Sequence, residues 1–158
     1  MMKRMFLGAV AAIVLTTGAG AQQLALPYGS PVTLAQAKTI VAAAEQSARS
    51  RNFTMAFAIV EPSGELVLFH KMDGTQYGSD LVAREKARTA ARFKRSTKAF
   101  FDSIAGGRNA VLSLPGVVAI EGGTPIVING QIVGAIGVSG GSSEQDGEIA
   151  AAALLGLE

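Results

Sequence analysis

A single histidine and a nearby methionine are the residues of this sequence with the clearest capacity for chemistry. His70 is the only histidine in the chain, and Met72 follows it at the spacing that places both side chains on one face of a β-strand. An imidazole ligates metal ions, and a thioether ligates a metal axially or lines an apolar pocket. The alternatives are a strand histidine satisfied by local hydrogen bonds and a methionine packed in the core.

A second candidate is a basic helix that starts near Ser79. It carries Arg84, Lys86, Arg88 and Arg92. Arginines four residues apart on a helix repel each other unless an anion or an acidic side chain lies near. A phosphate or a carboxylate would satisfy them. The alternative is a solvated or subunit-facing surface on which the arginines pair with acidic residues of the same helix.

A third candidate is the glycine-rich loop SGGSSEQD, which contains Ser139, Gly140 and Gly141. It joins a predicted strand to a helix N-terminus, where free N–H groups favour an anion. It lacks the lysine and the glycine spacing of nucleotide-binding loops. Gly134 and Gly137, in the strand before it, lie on opposite faces. They indicate a close helix contact on one side and a sheet bend or subunit contact on the other.

The residue inventory argues against several kinds of catalysis. The absence of cysteine excludes disulfides, thiolate nucleophiles and cysteine-ligated metals. A Ser-His-Asp arrangement would need His70, and no nucleophile-elbow motif accompanies it. Asp73, in an Asp-Gly pair, is typical of a turn rather than of a general base. The sequence therefore offers no catalytic residue set.

The chain around these residues alternates helical and strand-like periods. The predicted helices cover residues 34 to about 50, 79–93, 98–106 and 144–155, and the predicted strands cover 53–60, 65–72, 117–120, 125–128 and 131–138. Asn129-Gly130 predicts a type I′ hairpin between the last two strands. The order α-β-β-α-α-β-β-β-α with tight hairpins indicates an α+β domain, in which helices cover one five-stranded antiparallel sheet.

The N-terminus has the layout of an export signal. Lys3 and Arg4 precede an apolar run, and an A-x-A pattern ends at Ala21. We therefore expect a signal peptide at 1–21, a leader segment at 22–32 and a single domain at 33–158, located in the periplasm or secreted. Cleavage would leave 12 basic side chains (14 minus 2) against 12 acidic ones, and a net charge near zero disfavours nucleic acid as a partner.

Three segments together resemble the GlcG/HbpS family, to which the C-terminal domain of PduO-type proteins is related. They are LVLFHKMDGTQYGS at 66–79, the helix motif of Lys86, Ala87, Thr89, Ala90 and Phe93, and GGTPIVINGQIVGAIGVSGGSSEQD at 122–146. The resemblance implies a profilin-like or Roadblock-like sandwich and a homo-oligomer, often an octamer. It also implies that haem or a related tetrapyrrole is a ligand. Exported members are linked to haem handling and redox sensing, and other members lie beside glycolate-utilisation or cobalamin-related genes.

These observations lead to one hypothesis and two alternatives. The hypothesis is an exported, oligomeric, non-catalytic haem- or tetrapyrrole-binding protein, with His70 or Met72 as axial ligand and the helix at 79–92 as the partner of the propionates. The first alternative is an enzyme or accessory factor acting on a small carboxylate such as glycolate, recognised by Arg88 and the loop at 139–143. The second is a structural module that binds a partner such as a membrane sensor protein.

Overall fold

The computed structural model describes residues 25–157, so the predicted signal peptide lies outside the described residues. The helices are α1 (Leu34–Ser50), α2 (Ser79–Phe93), α3 (Thr97–Ala105) and α4 (Ser143–Ala152), and a short 3-10 helix covers Asn109–Ser113. The strands are β1 (Ala56–Val60), β2 (Leu66–Lys71), β3 (Gly123–Ile128) and β4 (Gln131–Ser139). The α+β class is confirmed.

The sheet has four strands within the described residues, in the order β2-β1-β4-β3, and every neighbouring pair is antiparallel. The prediction of five strands was wrong, because residues 117–120 form no strand. The amide of Val118 donates instead to the hydroxyl of Thr89 on α2, at 3.0 Å. A helix side chain therefore satisfies a group that a neighbouring strand would otherwise bond.

Alternation along β1 divides the interior between the two faces of the sheet. Met55, Phe57 and Ile59 belong to the core on the side of α1 and α4, which we call the α1 face. Ala56, Ala58 and Val60 pack with the alanines of α2 on the other side, the α2 face. The large side chains lie on the first face and the small ones on the second. As a result, α2 lies closer to the sheet than α1 does.

The glycines of β4 permit this close approach. A β-carbon at Gly137 would overlap the carbonyl oxygen of Ala83 on α2, which confirms the close helix contact expected on one side. Gly134 lies next to a β-bulge, since Ile126 pairs with Gly134 while Val127 pairs with Ile132. A β-carbon at Gly134 would overlap the carbonyl oxygen of Val60. A bulge bends a strand locally, which agrees with the sheet bend that was one of the two alternatives predicted for this side.

The hairpin prediction is confirmed in its geometry. Asn129 and Gly130 have φ angles of 51° and 71°. Both angles are positive, as a type I′ turn requires. The turn fixes the register of β3 against β4 by local chemistry alone.

The helix α4 starts one residue before its predicted start at 144, whereas α2 starts at its predicted position. Ser142 caps α4, and its side chain forms a capping box with Gln145. The N-cap of α2 is Gly78, and Ser79 is the first helical residue. Ser79 is buried and faces Ser139 across an Oγ–Oγ distance of 3.2 Å. Its hydroxyl therefore joins α2 to the end of β4 rather than capping the helix.

Residues 25–32, which belong to the predicted leader, cross the sheet end near the bulge. Tyr28 forms a parallel bridge with Ile132, and Val32 donates its amide to the carbonyl of Val133 at 2.8 Å. The hydroxyl of Tyr28 donates to the carbonyl of Ala91 at 2.8 Å. This segment thereby binds a carbonyl at the C-terminal end of α2, which also accepts from the amide of Lys94.

The close approach of α2 gives a stability prediction. We expect Gly137→Ala to lower the free energy of unfolding by about 1–3 kcal/mol, because the added methyl group forces α2 away from the sheet. Gly78→Ala is the control, since that site has φ of −62° and open space around it. Urea unfolding of both variants measures the difference. Equal stability of the two variants would contradict the packing described here.

Candidate functional site

His70 lies on the edge strand β2 and faces α1. It pairs with Phe57 across the sheet, and the two rings stack with centroids 6.1 Å apart. The side chain of His70 is 40% exposed. The only imidazole of the chain is thus held against the core by one ring face while its edge reaches solvent.

A carboxylate of α1 holds this imidazole. Oε2 of Glu45 lies 3.1 Å from Nε2 of His70. Oε1 of the same carboxylate accepts from Nε of Arg49 at 2.9 Å. Glu45 and Arg49 are one helical turn apart, so the periodicity of α1 directs both towards β2. His70, Glu45 and Arg49 therefore form one polar cluster on the surface where α1 and β2 meet, and we call that surface the α1/β2 groove.

Met72 lies on the same strand face as His70 and forms part of the core. Its side chain is buried, and it separates two open depressions. One, of about 330 Å³, is lined by Arg49, Asn52, Phe53, Thr54 and Met72. The other, of about 450 Å³, is lined by residues 71–77. Met72 is placed to form an apolar wall at the end of the α1/β2 groove.

Arg84 lies on the opposite side of the sheet from His70. Its guanidinium carbon lies 4.5 Å from the ring centroid of Phe69, which precedes His70 on β2 and so faces the other way. Phe69 packs against the core of the α2 face. Nε of Arg84 is buried and makes no hydrogen bond. The sheet therefore separates Arg84 from the predicted axial ligands.

Arg88 is already engaged by backbone and side-chain partners. Its Nε donates to the carbonyl of Gly64 at 3.2 Å, and its NH1 lies 2.7 Å from Oε1 of Glu85. Arg92 donates to the carbonyl of Ser63 at 2.8 Å. The repulsion expected between these arginines is relieved by the β1–β2 turn and by Glu85. Arg88 and Arg92 therefore hold the β1–β2 turn against α2.

The loop of Ser139, Gly140 and Gly141 also contacts other residues of the same chain at the positions where a ligand would bind. The Ser139 hydroxyl faces Ser79, and a β-carbon at Gly140 would overlap the carbonyl oxygen of Thr54. The amide of Gly141 donates to Oδ1 of Asp146 at 2.9 Å. The anion that this loop binds is thus an aspartate of α4, and the packing here agrees with a scaffold role.

A buried ion pair connects these elements; the sequence analysis named Lys86 only as part of the basic helix and did not predict its pairing with Asp146. Nζ of Lys86 lies 2.6 Å from Oδ2 of Asp146 and donates to the carbonyl of Val138 at 3.0 Å. Burial lowers the pKa of Lys86 and raises the pKa of Asp146, and the attraction between the two charges opposes both changes. The signal was present in the sequence, since Lys86 lies on the buried stripe of Ala83, Ala87 and Ala90.

Two kinds of feature are absent from residues 25–157. No cluster of three or more histidine, aspartate or glutamate side chains in this part of the chain could hold a metal ion. No helix among these residues has the length and apolar character needed to cross a membrane.

Fold and sequence together define the class of this protein. An α+β arrangement with an antiparallel sheet also occurs in the PduOC:haem complex, which matches with a TM-score of 0.70 and 27% identity over 78% of this chain and 93% of that chain. A double mutant of Streptomyces reticuli HbpS matches with a TM-score of 0.74 and 27% identity over 95% and 99% of the two chains.

Residues 32–155 match the family model described as "Haem degrading protein HbpS-like". The chain belongs to this family, which confirms the resemblance predicted from the motifs. It is 38% identical to Protein GlcG of Escherichia coli strain K12 over 103 residues, which are 65% of this chain and 77% of GlcG.

The buried pair gives a second stability prediction. We expect Lys86→Met to lower the free energy of unfolding by about 3–5 kcal/mol, because Asp146 is then left without its countercharge in the interior. A second change, Asp146→Leu, should restore much of the loss when added to Lys86→Met, since the unpaired charge is gone. Guanidinium unfolding measures both.

The control for this experiment is Lys98→Met, because Lys98 forms its ion pairs with Asp102 and Glu121 at the surface. Its effect should be far smaller than that of Lys86→Met. If the two single variants lose equal stability, the buried pair does not have the role assigned to it.

Proposed function

We propose that this protein binds haem or a related tetrapyrrole in the α1/β2 groove, with His70 as the axial ligand. The observation that carries the proposal is the exposed edge of the only imidazole, next to a carboxylate and an arginine. Membership of the HbpS-like family supports the ligand class, as does the likeness to a protein whose structure contains haem. Bound haem would supply an iron centre whose reactivity its surroundings tune.

The side chains along the groove are of the chemical types that a tetrapyrrole needs, apolar surface for the ring and a cation for a propionate. Val67 and Leu68 both pack against the core of the α1 face, the face that carries His70, because a bulge at Val67 interrupts the alternation of β2. They offer apolar surface to the ring, and Met72 closes one end. Arg49 is 65% exposed at the rim. Its guanidinium would pair with a propionate through charge-assisted hydrogen bonds.

Glu45 is a positioning residue in this proposal. Histidines that ligate metals commonly donate their other ring N–H to a carboxylate, which fixes the tautomer and the ring orientation. The 3.1 Å distance between Glu45 and His70 provides that arrangement. Because the same carboxylate contacts Arg49, binding of a propionate by Arg49 would alter how Glu45 holds the imidazole.

Arg49, and not Arg84 or Arg88, would bind the propionate of a ligand held by His70. Arg84 faces the α2 side of the sheet, and Arg88 is engaged by Gly64 and Glu85. A flat ligand on His70 would reach Arg49 along the groove, whereas the sheet lies between His70 and Arg84.

We further propose that the protein is exported and forms a homo-oligomer, and that it binds its ligand without transforming it. His70 contacts the side chains of Glu45 and Phe57. Neither is a nucleophile activated by a base and a third orienting group, which covalent catalysis requires. A membrane sensor protein as partner is a further part of this proposal.

One observation favours a second candidate function, the binding of a small carboxylate such as glycolate. Nε of Arg84 is buried without a hydrogen bond, and Lys71 lies nearby on the same face, 3.5 Å from Asp80. A carboxylate could accept from both cations. In this alternative Arg84 and Lys71 recognise the carboxylate. Arg88 and the loop at 139–143, which were predicted for that role, donate their hydrogen bonds to other groups of the protein.

A haemin titration followed by absorbance tests the haem proposal. We expect a shifted Soret band that saturates at a defined stoichiometry, and its loss in His70→Ala. Arg49→Gln should weaken binding about 10- to 100-fold, the cost of one charged hydrogen-bonding group. Arg84→Gln is the matched control and should bind like the wild type, because it lies on the other face.

Three results would contradict this proposal. A spectrum without a Soret shift removes haem as the ligand. An Arg84→Gln variant that binds more weakly than Arg49→Gln moves the site to the α2 face. Thermal stabilisation by glycolate, abolished by Arg84→Gln, would favour the second candidate function.

Export is tested by the mass of the mature protein. Expressed from its full sequence in a bacterium, the protein should be recovered from the periplasm or medium with Gln22 as its first residue, because the A-x-A pattern ends at Ala21. Intact-mass spectrometry of the recovered protein measures this. A protein that retains residues 1–21 would show that the signal peptide was wrongly assigned.

A further inference from the structure

Buried side-chain polar atoms that lack a hydrogen bond are concentrated in one part of the molecule. Within residues 25–157 they are Oγ1 of Thr75, Oδ1 of Asp80 and Nε of Arg84. All three belong to residues 75–84, which run from the loop after β2 into α2. A buried polar group without a partner is costly, so such a concentration indicates a place where a partner from outside the chain binds.

An open depression adjoins these groups, and we call it the β2/α2 depression. Residues 71–77 line it, and its volume is about 450 Å³. Sites for small ligands typically measure about 300–1,000 Å³. Met72 and Thr75 are the buried residues of this lining, so the unpaired hydroxyl of Thr75 belongs to its inner wall. Tyr77 is 91% exposed and forms part of its rim.

Two cations and a carboxylate meet at the edge of this depression. Lys71 pairs with Ala56 across the sheet and therefore lies on the α2 face. Its Nζ is 3.5 Å from Oδ1 of Asp80, which is longer than an ordinary hydrogen bond. Asp80 and Arg84 are one helical turn apart on α2. The guanidinium of Arg84 lies over Phe69, which is next to Lys71 on the same strand face.

These groups are complementary to a ligand that carries both signs of charge. Lys71 and Arg84 are donors, whereas Asp80 accepts and the hydroxyl of Thr75 can do either. Asp73 also lines the depression, so the two cations face two carboxylates. A ligand with a carboxylate alone would bring a second negative charge close to Asp80. A ligand with a carboxylate and an ammonium on neighbouring atoms satisfies the donors and the acceptors together.

We propose that the β2/α2 depression binds a free α-amino acid. Its carboxylate accepts from Lys71 and Arg84, and its ammonium donates to Asp80 and Thr75. The proposal rests on the second candidate function and names the class of carboxylate that this site recognises. The side chain of the amino acid would extend along Tyr77. Lys71 and Arg84 lie on the α2 face of the sheet, so this binding does not depend on haem in the α1/β2 groove.

Three small acids that differ in one group on the α-carbon test the class of ligand. Glycine carries an ammonium there, glycolate a hydroxyl and acetate only hydrogen. We expect glycine to bind the haem-free protein about 10- to 100-fold more tightly than acetate, because it adds one charged hydrogen bond. Glycolate should lie between the two, since its hydroxyl is a neutral donor. Isothermal titration calorimetry measures the three affinities.

Two variants separate the two ends of the ligand. Asp80→Asn should weaken the binding of glycine about 10- to 100-fold, because the ammonium loses its countercharge. The same variant should bind acetate as tightly as the wild type or more tightly, since a negative charge near the carboxylate is gone. Arg84→Gln should weaken all three acids. Asp102→Asn, the same change in an exposed carboxylate that pairs with Lys98, is the matched control and should bind like the wild type.

The results distinguish this proposal from those on which it could be confused. Equal affinities for the three acids, all weakened by Arg84→Gln, would keep the carboxylate site and overturn the amino acid as its ligand. Glycolate binding more tightly than glycine, or Asp80→Asn weakening acetate as much as glycine, would overturn it as well. If none of the acids binds, the second candidate function fails too. The comparison of the three acids uses the wild type, circular dichroism checks that each variant is folded, and the Soret shift of the haem proposal is measured separately.

Discussion

The ion pair of Lys86 and Asp146 is the interaction on which the arrangement of the sheet, α2 and α4 depends. It lies where these three elements meet, and Lys86 also binds the carbonyl of Val138 on β4. Two charges in an apolar interior are tolerated only when each is paired and hydrogen-bonded. Asp146 meets this condition by also accepting from Gly141. The glycine-rich loop is needed because the carboxylate must reach the backbone amide there.

The same pair explains why Lys86, Arg88 and Arg92 of α2 form their hydrogen bonds within the protein and not with a ligand. Lys86 reaches Asp146 only because alanines and glycines let the helix lie directly on the sheet. At that distance the arginines on the flank of α2 reach the β1–β2 turn, where Arg88 and Arg92 bind the carbonyls of Gly64 and Ser63. The larger residues of the α1 face keep α1 farther away. The groove that remains there contains Glu45, Arg49 and the exposed edge of His70.

Features specified by local sequence were predictable, and those that depend on distant partners were not. Asn129-Gly130 fixes its turn through the φ angles it tolerates, so the hairpin was predicted correctly. Residues 117–120 have the composition of a strand, but a hydroxyl on α2 takes the amide of Val118. The alternation of β2 showed that His70 and Met72 share a face. It could not show that α1, rather than the arginine helix, covers that face.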